Sequence, residues 1–255
     1  MAAALLQQTT GSRAAIARTA AMRAAFRPEY LRPVPTETHE DAMNAKLDRI
    51  GSVQSVAAGK MILQEQETAD YVYKVVSGTL RAVRLLPDGR RYITSFLLPG
   101  DFFGFTANGH YTQTIEAVAD AKLIRYSRRG FNAVLEADPH AGQHFFGLMC
   151  EELSAAQDRM LLLGRKSAVE RMATFLLAMG ERQSSNEPKD RRDVHLPMSR
   201  SDIADYLGLT VETVSRILTQ LKNRRVIDLP NVNHVLFKDR DALGEISAGE
   251  MVEAA

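Results

Sequence analysis

The stretch that decides the fold is LPMSRSDIADYLGLTVETVSR, which occupies residues 196–216. Ser199 and Asp202 have the residue types and the spacing of a capping box, which predicts that a helix begins there. Gly208 is the kind of residue at which such a helix ends, and Thr210 can cap a second helix. Apolar residues recur at helical spacing in both segments: Ile203, Ala204 and Leu207 in the first, then Val214, Ile217, Leu218 and Leu221 in the second. Two short helices joined by a glycine turn are typical of a helix-turn-helix.

Polar side chains lie on one face of the second of these helices. Glu212, Ser215 and Arg216 are spaced i, i+3 and i+4, so a helix places all three on the same side. A carboxylate accepts a hydrogen bond from the cytosine amino group, and an arginine donates two to guanine O6 and N7. We therefore predict that this face reads DNA bases, with Arg216 on guanine, Glu212 on cytosine and Ser215 on a thymine edge. Val211 is expected to contact a thymine methyl group.

A second set of residues is expected to contact phosphates, because its members lie at helix starts or carry flanking charge. These residues are Ser199, Arg200, Thr213 and Lys222. Residues 191–225 contain seven basic and four acidic side chains, a net charge of +3, so phosphate binding would depend on a few placed cations. For Lys222, a solvated helix end that complements the helix dipole is an equally good interpretation.

The segments around this motif predict a winged domain. Residues 165–180 predict its first helix, and residues 184–193 predict a polar loop. Residues 226–229 and 234–237 predict two strands of a hairpin wing, and a short helix is expected from Asp239.

Residues 50–130 have the pattern of a β-structure. Six short segments are rich in β-forming residues and alternate in part between apolar and polar, with Gly, Pro and Asp turn signals between them. They are residues 60–63, 71–76, 79–85, 91–96, 114–118 and 121–126. Regular short strands with glycine turns predict a β-barrel or jelly roll.

A long helical segment follows, with an apolar stripe spaced 3, 4, 3, 4, 3. Its members are Phe146, Met149, Leu153, Ala156, Met160 and Leu163. This spacing is typical of a coiled-coil seam, so the stripe predicts a homodimer. The alternative is a single helix that packs on its own roll.

In this order, the pieces resemble the Crp/Fnr superfamily of bacterial regulators. The matching pieces are YKVVSGTL at 73–80, PDG at 87–89, LPGDFFG at 98–104 and the motif at 196–216, and the resemblance covers roughly residues 45–240. It implies an α+β fold, with a β-roll (a jelly roll like that of cyclic-nucleotide-binding domains), a long dimerisation helix and a C-terminal winged helix-turn-helix. It also implies a homodimer that binds double-stranded DNA and acts with RNA polymerase as an activator.

The E-x-x-S-R pattern from Glu212 to Arg216 is similar to the Fnr and FixK branch. The cyclic-AMP-responsive branch usually has Arg before the Glu and Gly in the Ser position, where this chain has Val211 and Ser215. The resemblance implies an inverted repeat like TTGAT-N4-ATCAA and control of low-oxygen or nitrogen-oxide respiratory genes. A two-fold dimer would place its recognition helices roughly 34 Å apart, which fits such a repeat.

The charged residues that hold a cyclic nucleotide in this superfamily are not all present. Phe105 replaces the second acid of the phosphate cassette, and the segment at 110–113 lacks the usual Arg. The ribose and the phosphate would both lose a polar partner, so no cofactor is expected. The alternative is a cyclic-nucleotide- or haem-responsive regulator of the same fold. Phe102, Phe103 and Phe105 are expected in the core, with an apolar pocket as the alternative.

Three further residues are candidates for other chemistry. Cys150 flanks the apolar stripe and is interpreted as a half-buried thiol, with a redox-sensitive thiol as the alternative. His140 and His144 have the i, i+4 spacing of metal ligands, but no third His or Cys is near in sequence, so no metal is expected. No nucleophile–base pair or phosphate loop is present, so the chain is not expected to be an enzyme.

The whole chain has the composition of a soluble globular protein. It has 255 residues, 45% hydrophobic and 25% charged, a net charge of +1 and one Cys. This composition and the lack of a long apolar run predict a cytoplasmic protein that has no membrane partner. The Arg-rich start predicts a mobile arm, with an organellar transit sequence as the alternative. We expect the arm at residues 1–40, the roll at 41–138, the dimerisation helix at 139–164, the DNA-binding domain at 165–245 and a tail at 246–255.

Overall fold

The computed structural model describes residues 43–183 and 193–249. The predicted arm at residues 1–40, nearly all of the predicted loop at 184–193 and the end of the predicted tail lie outside the described residues.

The N-terminal half of the described chain is a roll of eight strands in two antiparallel sheets. The strand orders are β1-β8-β3-β6 and β2-β7-β4-β5. The strands are β1 (Ser52–Val56), β2 (Met61–Leu63), β3 (Tyr71–Ser77), β4 (Leu80–Leu85), β5 (Arg91–Leu97), β6 (Phe102–Phe103), β7 (Thr114–Ala117) and β8 (Ala121–Ser127). Buried side chains from both sheets fill the interior, as a two-layer sandwich requires. The predicted β-roll is therefore confirmed.

All six predicted strands are present, but the pattern missed β1 and β6. Only Val56 of β1 is buried, so this strand has no apolar alternation to detect. β6 is two residues long and exists because it pairs with β3, where Phe103 lies opposite Tyr73. Tertiary pairing decides both strands.

Three helices follow the roll: α1 (Arg128–Ala137), α2 (Pro139–Arg165) and α3 (Ala168–Gln183). Pattern analysis did not predict α1, which starts at the Ser127 cap and buries Phe131. The Asp138 side chain accepts hydrogen bonds from two backbone N–H groups and so caps α2. The 27 residues of α2 span about 40 Å at 1.5 Å per residue. None of the described helices is long and apolar enough to cross a membrane.

The remaining elements form the C-terminal domain. They are β9 (Asp193–His195), α4 (Arg200–Leu207), α5 (Val211–Asn223), β10 (Ile227–Asn231), β11 (His234–Phe237) and α6 (Arg240–Ala248). The predicted hairpin and the helix after Asp239 are confirmed. The polar-loop prediction was wrong at residue 193, where β9 begins, because β9 pairs with β11 and places Val194 in the core.

One apolar core joins the roll to the C-terminal domain. Val83, Ile93, Phe96 and Leu98 of the roll are buried in the same cluster as the helices of the C-terminal domain. The two domains therefore share buried surface, and the helix-turn-helix packs directly on the roll.

A second cluster joins the roll to α1 and α2 through aromatic rings. Phe102 and Phe105 are partly buried there, and the Phe105 ring contacts Phe131 and Phe145 at centroid distances of 6.0 and 4.9 Å. Phe103 lies inside the roll. The expectation of core packing is confirmed for Phe103. Phe102 and Phe105 are only partly buried, and Phe105 also lines an open cavity of about 670 Å³ between the roll, α1 and α2, as the alternative interpretation had it.

Candidate nucleic-acid interface

The capping box at the start of α4 is present as predicted. The Ser199 hydroxyl oxygen accepts from the Asp202 N–H at 3.0 Å, and the Asp202 carboxylate accepts from the Ser199 N–H at 3.1 Å. The helix ends at Gly208, whose φ of 63° is left-handed and suits glycine. The turn that orients the second helix is therefore set by local hydrogen bonds.

Loss of the Ser199 hydroxyl should weaken the C-terminal domain. We expect Ser199→Ala to lower the free energy of unfolding by about 1 kcal/mol, because an N-cap side chain satisfies a helix N–H that is otherwise orphaned. Urea denaturation followed by circular dichroism measures the loss. Ser201→Ala, two residues later on the exposed side of α4, is the matched control. Equal stability of the two variants would contradict the role of the cap.

The second helix, α5, divides into a buried and an exposed face. Thr210 caps it, and the predicted inner residues Val214, Ile217, Leu218 and Leu221 are all buried. Glu212, Ser215 and Arg216 are exposed on the other side. Thr219 and Asn223 extend this exposed side toward the end of the helix. We call Glu212, Ser215, Arg216, Thr219 and Asn223 the reading face.

Sequence reasoning missed Thr219 and Asn223, although the helical spacing pointed to both. Thr219 lies four residues after Ser215 and donates its hydroxyl proton to the Ser215 carbonyl at 2.9 Å. Asn223 lies one turn further and, with Arg216 and Thr219, lines a shallow depression of about 510 Å³. Continuing the i, i+4 series from Ser215 would have identified them.

The charges on the reading face suit base recognition. A hydrogen bond from its own backbone N–H and one from the Thr210 hydroxyl lower the pKa of Glu212, so its carboxylate is an ionised acceptor at neutral pH. Among the described residues, no carboxylate lies within ion-pair distance of Arg216. Its guanidinium is thus available for a ligand.

The predicted phosphate contacts all have partners within the chain. The Ser199 hydroxyl donates to Asp202 at 2.8 Å, the Thr213 hydroxyl lies 3.1 Å from that of Thr210, and Lys222 lies 3.4 Å from Asp228. Phosphate binding by these side chains would compete with those contacts. Their role on DNA stays a prediction.

Arg200 is turned toward the wing. One of its guanidinium nitrogens donates to the Val232 carbonyl at 3.2 Å in the turn between β10 and β11, and another is buried without a hydrogen-bond partner. Burial lowers the pKa of this arginine. Its phosphate contact also stays a prediction, and the contact that it makes here anchors the wing to α4.

The apolar stripe on α2 is largely uncovered. Phe146, Met149, Leu153 and Met160 expose 64%, 38%, 60% and 70% of their surface. These four residues are the exposed members of the apolar stripe. The two other predicted seam residues differ: Ala156 is partly buried, and Leu163 packs on the core of the C-terminal domain. Leu161, which was not predicted, exposes 61%.

Aromatic side chains occupy the interior of the roll. The rings of Tyr73 and Phe103 stack at 5.0 Å, and the Tyr111 hydroxyl donates to the Tyr71 carbonyl at 3.0 Å. Burial raises the pKa of Tyr73 to about 12, so its phenol stays neutral. Arg128, which sequence reasoning did not single out, donates to the carbonyls of Ala69 and Gly104.

The other candidates show no assembled site in the described part of the chain. Cys150 is half-buried on α2. His140 and His144 are not part of any group of three potential metal ligands among the described residues.

Two family models match the chain. One is a Crp-like helix-turn-helix domain over residues 170–246, and the other is a cyclic nucleotide-binding domain over residues 53–138. Together they cover the roll and the domain that carries the reading face.

Individual proteins match over most of their length. The nitrogen fixation regulation protein FixK of Azorhizobium caulinodans is 41% identical over 199 residues, 78% of this chain and 80% of that protein. The transcriptional activator protein FnrL of Cereibacter sphaeroides is 35% identical over 198 residues, 76% and 80% of the two chains. The structure of FixK2 from Bradyrhizobium japonicum superimposes with a TM-score of 0.73 at 37% identity, covering 81% of this chain and 100% of that one.

With its β-roll, long helix and winged helix-turn-helix, the chain belongs to the Crp/Fnr family of DNA-binding transcription regulators. Its similarity to FixK proteins supports the FixK-like branch, as the E-x-x-S-R pattern predicted. These relatives are transcription regulators and not enzymes.

Proposed function

We propose that this regulator is a homodimer that recognises an inverted repeat close to TTGAT-N4-ATCAA. The observation that carries the proposal is the presence of two exposed surfaces in one chain, the reading face on α5 and the apolar stripe on α2. The first offers hydrogen bonds to base edges, and the second offers an apolar surface that a second copy would bury. A two-fold dimer duplicates the reading face and therefore requires a two-fold site.

The apolar stripe supports dimerisation because its exposed members are not covered by any of the described residues. In its 27 residues, α2 buries only Ala141, Phe145 and Leu162, which lie toward its two ends. Four large apolar side chains in the middle face solvent. Packing the same stripe of a second α2 against them would remove this surface from water in the manner of a coiled coil.

On the reading face, each functional group has a matching base edge. The two N–H groups at the end of Arg216 suit guanine O6 and N7, and the Glu212 carboxylate suits a cytosine amino group. Ser215 and Val211 would contact thymine. Arg200, Ser199, Thr213 and Lys222 would position the domain on phosphates.

The regulator would act in the cytoplasm as an activator that contacts RNA polymerase. Its relatives include proteins named for nitrogen fixation regulation and for transcriptional activation. These names support a role as an activator of transcription. Control of low-oxygen or nitrogen-oxide respiratory genes rests on the resemblance of the E-x-x-S-R pattern to the Fnr and FixK branch.

The roll would bind no cyclic nucleotide. Tyr73, Phe103 and Tyr111 are each at most 5% exposed and pack together in the interior of the roll. Phe105 packs on Phe131 and Phe145 instead of offering a carboxylate. The roll would then serve as a scaffold for α2 and for the helix-turn-helix.

Selection of bound duplexes from a random DNA pool tests the proposal. We expect the full-length protein to enrich an inverted repeat of TTGAT half-sites with a four-base-pair spacer. Enrichment should be the same with and without added cyclic AMP. Enrichment of single half-sites or of an unrelated sequence would contradict the proposed dimeric recognition, and a requirement for cyclic AMP would contradict the account of the roll.

A further inference from the structure

A buried carboxylate lies between the roll and the helix-turn-helix. Asp202 on α4 is only 2% exposed. One of its oxygens, Oδ2, serves the capping box with Ser199. The other, Oδ1, accepts from Arg81 of β4 and from Arg91 of β5, both at 2.8 Å. The same side chain therefore starts α4 and fastens that helix to the roll.

Arg91 also bonds the next turn of α4. Its guanidinium lies 2.7 Å from the Asp205 carboxylate and 2.8 Å from that of Asp202. Burial alone would lower the pKa of Arg91, but the two carboxylates outweigh burial and raise it. Arg81 is itself held on the roll by Glu116 at 2.7 Å. Charge-assisted bonds of this kind are shorter and stronger than neutral ones.

Aromatic and backbone contacts surround this ionic cluster. The Phe96 ring of β5 contacts the Tyr206 ring of α4 at a centroid distance of 5.2 Å. The Arg159 guanidinium of α2 lies over the same Tyr206 ring, 4.9 Å from its centroid. Arg182 of α3 donates to the Phe96 carbonyl at 2.8 Å. The roll and α2 thus both contact α4 through Tyr206, and α3 is bonded to the same strand of the roll.

Fixing α4 also fixes α5. Their inner faces share one core, in which Ile203 and Leu207 of α4 lie with Val214 and Leu218 of α5. Between α2 and α3 the chain has only two residues outside helices, Lys166 and Ser167. Arg171 holds this link by donating to the carbonyls of Leu163, Lys166 and Leu207. The contacts from the roll add a second restraint on the direction of the reading face.

We propose that Arg81 and Arg91 of the roll are positioning residues for DNA recognition. Their bonds to Asp202 and Asp205 hold the helix-turn-helix in the orientation that lets two copies fit one inverted repeat. All five residues of the reading face are exposed in this orientation, so the roll does not cover them. This inference rests on the proposed dimeric site and adds that the spacing between half-sites is set from the roll.

Spacing-dependent affinity is the first test. Full-length wild type and Arg91→Gln are titrated with a repeat that has a four-base-pair spacer, with a five-base-pair spacer, and with a single half-site. We expect Arg91→Gln to bind the four-base-pair repeat about tenfold more weakly, a coupling of ordinary size. Half-site affinity should not change. The preference for the four-base-pair spacer should shrink, because a freely oriented domain adapts to either repeat.

Two variants bracket this measurement. Asp205→Asn removes the other partner without touching the capping box and should act in the same direction. Arg90→Gln is the matched control, because Arg90 is adjacent in sequence but bonds Asp88 in its own turn. Equal weakening by Arg91→Gln on the half-site would show local damage to the helix-turn-helix and would overturn the positioning role. Tighter binding by Arg91→Gln would also overturn it.

A distance measurement tests the inference independently of any dimer. Dyes are placed on exposed Lys60→Cys of the roll and Asp241→Cys of α6 in one protomer, in a Cys150→Ser background. Single-molecule energy transfer should show a narrow distance distribution in wild type and in Arg90→Gln, and a broader one in Arg91→Gln. An unchanged distribution in Arg91→Gln would overturn the inference even if the inverted repeat is correct. If Arg91→Gln broadens the distribution but wild type shows no preference for the four-base-pair spacer, only the proposed DNA site is refuted, and the positioning role of Arg91 stands.

Discussion

The Arg216→Ala variant is expected to bind the inverted repeat about 1–3 kcal/mol more weakly than wild type, which is the usual value of a bidentate arginine–guanine contact. The guanidinium is exposed on the reading face and has no ion-pair partner among the described residues, so its removal should change DNA binding and leave the fold intact. Fluorescence anisotropy titrations at one fixed salt concentration measure the difference.

A scrambled duplex and a second arginine complete this experiment. Arg216→Ala should lose little affinity for the scrambled duplex, because a base contact contributes only where its base is present. Arg240→Ala is the matched control, since it removes a partly exposed arginine of the same domain that pairs with Glu181 at 3.5 Å. The base-reading role of Arg216 is refuted if its variant loses as much affinity on the scrambled duplex as on the repeat.

Charge on the apolar stripe should separate the two copies. We expect a variant with Leu153→Glu and Met160→Glu to sediment as a monomer, because it places four carboxylates in one apolar helix pair. Affinity for the inverted repeat should then fall toward that for a half-site. These side chains are 60% and 70% exposed in the chain, so the substitutions should not harm the fold of the protomer.

The control for this prediction is Leu85→Glu. Leu85 is 69% exposed at the end of β4, far from α2 in sequence and on the roll. The Leu85→Glu substitution makes the same chemical change at a side chain of similar exposure, and it should leave the dimer intact. A double variant that still sediments with the mass of two chains would exclude the stripe as the dimer seam.

Local signals explain why much of the interface could be predicted. The Ser199 box, the left-handed Gly208 and the Thr210 cap each act within about four residues, so residue type and spacing are sufficient. The inner face of α5 follows from helical periodicity for the same reason. Most strands of the roll also carried alternation and turn residues that were visible in the sequence.

Other features had no local signal. β1 and β9 each have too few buried residues to show a pattern, and they form because neighbouring strands pair with them. Arg200 has the sequence context of a phosphate ligand, yet it contacts the wing turn 32 residues away. Its partner depends on how the hairpin folds back on α4.

By itself, the sequence determined that this chain has a helix-turn-helix with a polar reading face, a roll, and a long helix with an apolar stripe. Short-range periodicity and capping residues are sufficient to predict each of these parts. Only the tertiary structure decided how these parts are joined. The bonds from Arg81 and Arg91 to Asp202 span 121 and 111 residues, and no local pattern relates side chains that far apart. Within LPMSRSDIADYLGLTVETVSR, Asp202 takes part in both kinds of contact. One of its carboxylate oxygens makes the local capping box of its own helix, and the other makes the long-range ion pairs with the roll.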